Sequence, residues 1–240
     1  QSEFCKRAAD RFLGARTGRG EILYNAVDTN RFRPQAEGGG KMHSDYCFLL
    51  TGKIDKHLYY RLESTVGGLR IACDGGLDAR LKVAGWIEGE ARTRAEDLAR
   101  KLGLADRVEF TGAYTQEQAP GIYRNADAYV MTKHNDPCPN TVLEALACGL
   151  PILYSDSGGV PELAGTEAGV ALPCPEDWDT TQTPKAEAIG EGMLRIAAGH
   201  DAFADAARRR AVERFDIRHW IDRHQAVFQD LIAQRQCRPN

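Results

Sequence analysis

The sequence predicts an α/β protein built on a doubly wound, mostly parallel sheet of about six strands. Short apolar runs alternate with longer helical ones from Tyr46 to Leu172, the rhythm of strands covered by helices. No internal repeat or low-complexity block interrupts the alternation. Such a sheet holds its ligand at the carboxyl ends of the strands.

The elements follow in order. A helix opens the chain (SEFCKRAADRFL) and leads through the apolar run EILYNAV to DTNRFRP, closed by Pro34, and to the glycine-rich stretch QAEGGGKMHSD. Tyr46 to Thr51 reads as the first strand, and Leu58 to Cys73 as a helix with apolar positions at Leu58, Leu62, Val66, Leu69 and Ile71, ended by Gly75 and Gly76. Arg80 to Ala84 is the second strand, Gly89 to Leu102 a charged amphipathic helix stopped at Gly103, and Val108 to Thr111 the third strand. Gln116 to Asn125 is expected to be helical, Ala128 to Thr132 a strand, Thr141 to Cys148 a helix and Pro151 to Tyr154 a strand. Pro161, at a favoured first-turn position, opens another helix before a short strand from Gly169 to Leu172. Three helices end the chain: Lys185 to Ala198, Asp201 to Arg214 and, after RFDIRHW, Ile217 to Gln234.

Length and composition set limits. A chain of 240 residues buries a core of its own, in one or two domains, without disulfides. Its formal charge of −3 and the lack of a basic stripe interleaved with aromatics argue against nucleic acid as a partner. The seven cysteines are odd in number, scattered and free of CxxC spacing, so reduced thiols in a cytoplasmic protein are expected and a metal site is not. Cys138 lacks the ordered triad partners of a nucleophile and reads as a buried thiol. No apolar run approaches transmembrane length and no signal-peptide plan is present, though contact with a membrane surface stays open. A first residue other than Met, and a chain opening inside a helix, suggest part of a longer protein. GxGxxG and GxSxG are both absent, against a nicotinamide dehydrogenase and a hydrolase.

The densest chemistry lies between Tyr129 and Leu163. Asp136 and Glu144 are eight residues apart across a turn holding Pro137, Pro139 and Asn140, so a helix begins near Thr141 and both acids are expected to face one pocket. Asn140 is the expected N-cap. The helix start at Thr141 would turn free amides and a positive dipole end toward a diphosphate.

In ordered succession, NAVDTNRFRP, LLTGKIDK, ARLKVAGW, LGLADRVEFTGAY, IYRNADAYVMT, PNTVLEALACGLPIL, SGGVPEL and RFDIRHW cover nearly the whole chain. This set resembles the C-terminal, donor-binding half of a GT-B retaining glycosyltransferase of group 1, or family 4. The resemblance implies a Rossmann-like donor domain that binds a nucleoside diphosphate sugar and passes the sugar to a saccharide or lipid acceptor, with no separate cofactor. It implies that Glu144 holds the ribose and that Asp136, where the family usually has Glu, faces the transferred sugar. Lys53 and Lys56 would offset diphosphate charge, although the family shows Arg then Lys at a wider spacing, and His57 and Arg61 compete with Lys56. Gly158 and Gly159 would bring backbone close to ligand, and Gly112 and Tyr114 would hold the base. Lys133 and His134 could touch phosphate or acceptor, or simply sit on a loop surface.

The implied organisation is residues 1–40 as the end of an N-terminal acceptor domain plus connector, 41–216 as the donor domain and 217–240 as a helix crossing back to the acceptor half. Such a piece would bind nucleotide yet transfer poorly alone, with the whole enzyme cytoplasmic or peripheral at the inner face of a membrane. A non-catalytic nucleotide-sugar or partner-binding module and a GT-B sugar-nucleotide epimerase are the rival readings.

Overall fold

The computed structural model describes residues 2–15, 20–35 and 44–236. Residues 36–43 of the glycine-rich stretch, and with them the expected boundary at residue 40, lie outside the described residues, as does Cys237.

In chain order the elements are α1 (Glu3–Leu13), β1 (Tyr46–Thr51), α2 (Tyr60–Asp74), β2 (Ala79–Ala84), α3 (Gly89–Lys101), a 3-10 turn (Ala105–Arg107) and β3 (Val108–Gly112). They continue with α4 (Ala119–Arg124), β4 (Ala128–Met131), α5 (Asn140–Ala147), β5 (Ile152–Ser155), α6 (Val160–Ala164), β6 (Gly169–Leu172), α7 (Ala186–Ala198), α8 (His200–Arg214) and α9 (Ile217–Gln236). Every strand expected from the sequence is present. Two helices start later than the pattern suggested. Asp55 gathers the amides of His57 and Leu58 on its carboxylate, so residues 55–59 form a turn ahead of α2. Thr115 donates its amide to Gln118 Oε1, and α4 begins only with Pro120 in its first turn.

All six strands are parallel, in the order β3-β2-β1-β4-β5-β6. Two apolar layers bury the sheet's faces. Phe48, Leu50, Val130 and Leu153 point into the layer made with α2, α3 and α7. Leu49, Tyr129, Ile152 and Tyr154, their alternates, point into the layer made with α4, α5, α6 and α8. Double burial explains why β1, β4 and β5 read as unbroken apolar runs. Burying each Leu or Phe contributes about 1.5–3 kcal/mol, so these central strands fix the register of the whole sheet. Because β1 and β4 are neighbours while the chain winds outward from them in opposite directions, the loops after them part at their carboxyl ends.

The connector closes on the far end of the chain. Val27 forms a parallel bridge with Asp216, its amide donating to Phe215 and its carbonyl accepting from Ile217. Asp216, buried at the start of α9, accepts from Thr29 and from Arg218 Nε at 2.7 Å. These bonds hold its carboxyl well below the usual carboxylate range. Beyond that point α9 leaves Ile221, Phe228, Leu231 and Ile232 exposed. Among the described residues no helix is long and apolar enough to cross a membrane.

Helices α2 and α7 approach closely through small residues. A Cβ on Gly190 would stand 2.6 Å from Ile71 Cβ and 2.9 Å from the carbonyl of Gly68. Gly190→Ala is expected to cost about 1–3 kcal/mol of stability by overpacking. Denaturant unfolding should show the loss, and a midpoint equal to wild type would contradict this packing.

Candidate functional site

A cavity of about 430 Å³ opens where the loops after β1 and β4 part. Its wall is built by Gly52, Lys53 and Asp55 after β1, Arg61 of α2, Met131, Lys133 and Asp136 from the end of β4 onward, and Asn140 and Thr141 at the start of α5. The sheet topology therefore brings Asp136, Lys53, Asn140 and Thr141 together.

Asn140, however, is not the cap of α5. Pro139, extended at φ −70° and ψ 121°, holds the N-cap position without a side-chain bond, and Asn140 is the first helical residue. Its Oδ1 accepts from Asn25 Nδ2 at 2.8 Å. With no capping side chain, the first-turn amides of α5 and the positive end of the helix open onto the cavity.

The second cation differs as well. Lys56 is exposed, its amide donating to Glu88 Oε2 at 2.7 Å, and neither it nor His57 lines the cavity. Arg61 does, although it is only 3% exposed. Its Nη2 reaches the carbonyl of Thr51 at 3.3 Å and Met131 Sδ at 3.9 Å, while its Nε is buried with no partner. Among the described residues it makes no ion pair. Desolvation pulls its pKa below the ordinary value, opposed by the nearby Tyr129, Tyr60 and Asp136. A guanidinium in this state calls for an anion. Lys53 stands at the cavity rim with Nζ 5.0 Å from the centre of the Trp86 ring, a cation–π arrangement.

Asp136 is paired with Lys133, Nζ to Oδ2 at 2.9 Å, so the acid expected at the sugar shares the wall with a third cation. His134 points elsewhere, its ring on the carbonyl of Pro175 at 3.3 Å.

Glu144 does not share the cavity with Asp136, contrary to the expectation of one pocket for both acids. One turn beyond Thr141, it accepts from Tyr123 Oη at 2.7 Å and lies near Tyr114. Gly112 and Tyr114 line a second hollow of about 260 Å³. Burial raises the Glu144 pKa above the ordinary 4.5, with the Tyr123 hydroxyl and Arg31 acting in the opposite direction.

Gly158 and Gly159 line neither hollow; their close neighbour is the protein itself. A Cβ on Gly159 would lie 2.0 Å from the carbonyl of Pro137, and one on Gly158, at φ +70°, 2.5 Å from that of Asp136. They let the turn before α6 press against the acid loop from below. Cys138 in that loop is buried and its thiol pushed up by desolvation, the state of an inert cysteine. Sequence reasoning missed Tyr123, the partner of Glu144, and Asn25. The signal for Arg61 was present: it adjoins Leu62 on the stripe Leu58, Leu62, Val66, Leu69, where a charge is out of place.

Residues 71–183 match the model of the family described as glycosyl transferases group 1. Over that stretch the chain is similar to the group 1 glycosyl transferases. The D-inositol 3-phosphate glycosyltransferase of Mycobacteroides abscessus is 29% identical over 191 residues, covering 75% of this chain and 40% of the relative. The chain spans about half or less of the length of the first curated relatives it matches. Among solved structures, Anabaena Alr3699/HepE in complex with UDP and glucose shares the fold with a TM-score of 0.78 at 17% identity, over 95% of this chain and 62% of that one. The C-terminal domain of a group 1 glycosyl transferase (LpcC) from Francisella tularensis is covered over 99% of its length by 80% of this chain, with a TM-score of 0.65 and 16% identity. The fold shared with these structures is the Rossmann-like arrangement described above.

The raised pKa of Glu144 sets a stability test. A raised acid contributes stability below about its unfolded value of 4.5 and loses it as pH rises through the folded value. Glu144→Gln keeps an acceptor for Tyr123 and removes the buried charge. Its Tm should exceed that of wild type at pH 7, with the gap closing toward pH 4; a gap that widens on acidification would contradict the placement of Glu144.

Proposed function

We propose that this chain is the donor side of a retaining hexosyltransferase and binds a nucleoside diphosphate sugar across the β1/β4 crevice. The observation that carries this reading is the convergence of buried Arg61, rim Lys53 and the uncapped start of α5 on one cavity. Such a site matches a diphosphate in charge and in hydrogen-bond donors.

In this reading the diphosphate lies between Lys53, Arg61 and the amides at Asn140 and Thr141. The base occupies the hollow beside Gly112 and Tyr114, and Glu144, between the two, accepts from ribose hydroxyls. The sugar meets Asp136 and Lys133. Reaction consists of positioning and of stabilising the diphosphate as the bond to the anomeric carbon breaks, a charge that fixed cations and helix amides are arranged to receive. Charge compensation is assigned to the protein's own cations rather than to a resident metal or cofactor. HepE, with its bound UDP and glucose, supports a sugar nucleotide as the ligand class.

The acceptor is assigned to a further domain in a longer protein, since the chain spans only 40% of the M. abscessus relative. Residues up to the connector would come from that half, and the exposed apolar residues of α9 would pack on it. The 240-residue chain is then expected to bind donor and transfer poorly. One observation favours a non-catalytic donor-binding module instead: Asp136 is already engaged by Lys133.

Calorimetry with UDP, GDP and ADP on wild type and Arg61→Met tests the reading. At least one nucleotide should bind wild type with Kd of about 1 mM or tighter. Arg61→Met should weaken it by about 1.5–3 kcal/mol, roughly ten-fold or more, the contribution of a charge-assisted contact. Failure of all three to bind wild type would overturn the proposal.

A further inference from the structure

The loop that carries Asp136 is held at both ends by α1 and by Tyr24 and Asn25 of the connector, far away in sequence. At its C-terminal end Asn25 Nδ2 donates to the carbonyl of Cys138 at 3.2 Å and to Asn140 Oδ1 at 2.8 Å. At its N-terminal end the hold is indirect and has two branches. In one, Gly159 donates its amide to the carbonyl of Asp136 at 2.9 Å, and three residues on Glu162 accepts from Glu3 N at 2.8 Å, Phe4 N at 2.9 Å and Tyr24 Oη at 2.9 Å. In the other, Phe4 stacks on Trp178 with ring centres 4.9 Å apart, and the neighbouring Asp177 accepts through its carbonyl from Asn135 Nδ2 at 2.7 Å. Asn135, directly before Asp136, sits at φ +51°, a conformation that surrounding bonds must maintain.

From this geometry we infer that Asn25 and Glu162 are positioning residues that set the sugar-nucleotide site by clamping the acid loop between α1 and the connector; the inference rests on the donor-binding reading above. The carboxylate of Glu162 suits the first-turn amides of α1 through both charge and hydrogen bonding. Ser2, fully buried, caps the same turn through Cys5 N at 3.1 Å and closes on Gly159. Asn25 also occupies Asn140 Oδ1, an acceptor at the mouth of α5 that would otherwise be free to compete for the amides offered to a diphosphate. When α1 and the connector are docked, Asp136 and the start of α5 are therefore held in register with Arg61 and Lys53.

The test compares diphosphate with monophosphate binding, which reads the contacts made to the second phosphate, those at the start of α5 among them. Calorimetry on the full 240-residue chain uses UDP with UMP, GDP with GMP and ADP with AMP, for wild type, Asn25→Leu and Glu162→Gln, with thermal melts alongside. In both variants the affinity ratio of diphosphate to monophosphate should fall about five- to ten-fold, the size of one or two lost hydrogen bonds. Monophosphate affinity should change less than two-fold, because Tyr114 and Glu144 lie off the clamped loop. A lower Tm with an unchanged ratio in the folded variants would overturn the inference and leave these residues with a purely structural role. Absence of nucleotide binding by wild type would instead overturn the donor-binding reading, and this one with it. Should one variant not fold, the other reads the same ratio.

Discussion

A guanidinium withdrawn from water with no ion-pair partner among the described residues is the constraint around which this molecule is arranged. Burying a charge costs far more than burying a neutral polar group, and the cost falls only when hydrogen bonds or a counter-ion replace the lost water. Arg61 has the carbonyl of Thr51 and the sulfur of Met131, and its Nε remains without a partner. Arrangements of this kind persist where a ligand completes them. The surrounding wall supplies more positive potential: Lys53 at the rim, Lys133 opposite and the open first turn of α5.

The sheet makes that arrangement available. Doubly buried strands fix β1 and β4 side by side, and winding in opposite directions from them separates the loops that follow. Only those loops and the helix ends are left to carry polar side chains toward one another. Helix α2 projects Arg61 inward because it lies along the apolar stripe that packs on β1 and β2. The glycines before α6 give the acid loop a floor of backbone rather than a ligand surface. Structure and chemistry are thus divided: the sheet places the crevice, and the loops tune its charge.

Much of this was legible in the sequence, and the gaps share a cause. The six strands were readable to within a residue or two, β1, β4 and β5 most directly because burial on both faces makes them apolar almost throughout, a local signal. Asp136 and Thr141 line one hollow and Gly112 and Tyr114 another because short loops after strands have few places to go. Asn140 was misassigned because its side chain is taken by Asn25, 115 positions away, and no local rule reports such a partner. Lys56, His57 and Arg61 compete for the second cation in the sequence, whereas the turn at Asp55 leaves Lys56 exposed and α2 brings Arg61 to the cavity wall. Gly158 and Gly159 signalled a close approach, but glycine does not say to what; the partner is the backbone of Pro137 and Asp136. Glu144 is one turn too deep to reach the cavity that Asp136 lines, a matter of helix phase and tilt that spacing alone does not fix.

The most direct measurement is of the Arg61 side chain itself, by following its Nε–H resonance in a nitrogen-15 NMR spectrum of the chain while a nucleoside diphosphate is added. The account expects that resonance to shift and its proton to exchange more slowly with water as the phosphates satisfy it. An Arg61 signal that stays unmoved while resonances around Tyr114 respond would show that the phosphates lie elsewhere, contradicting the claim that this buried cation is the anchor of the site.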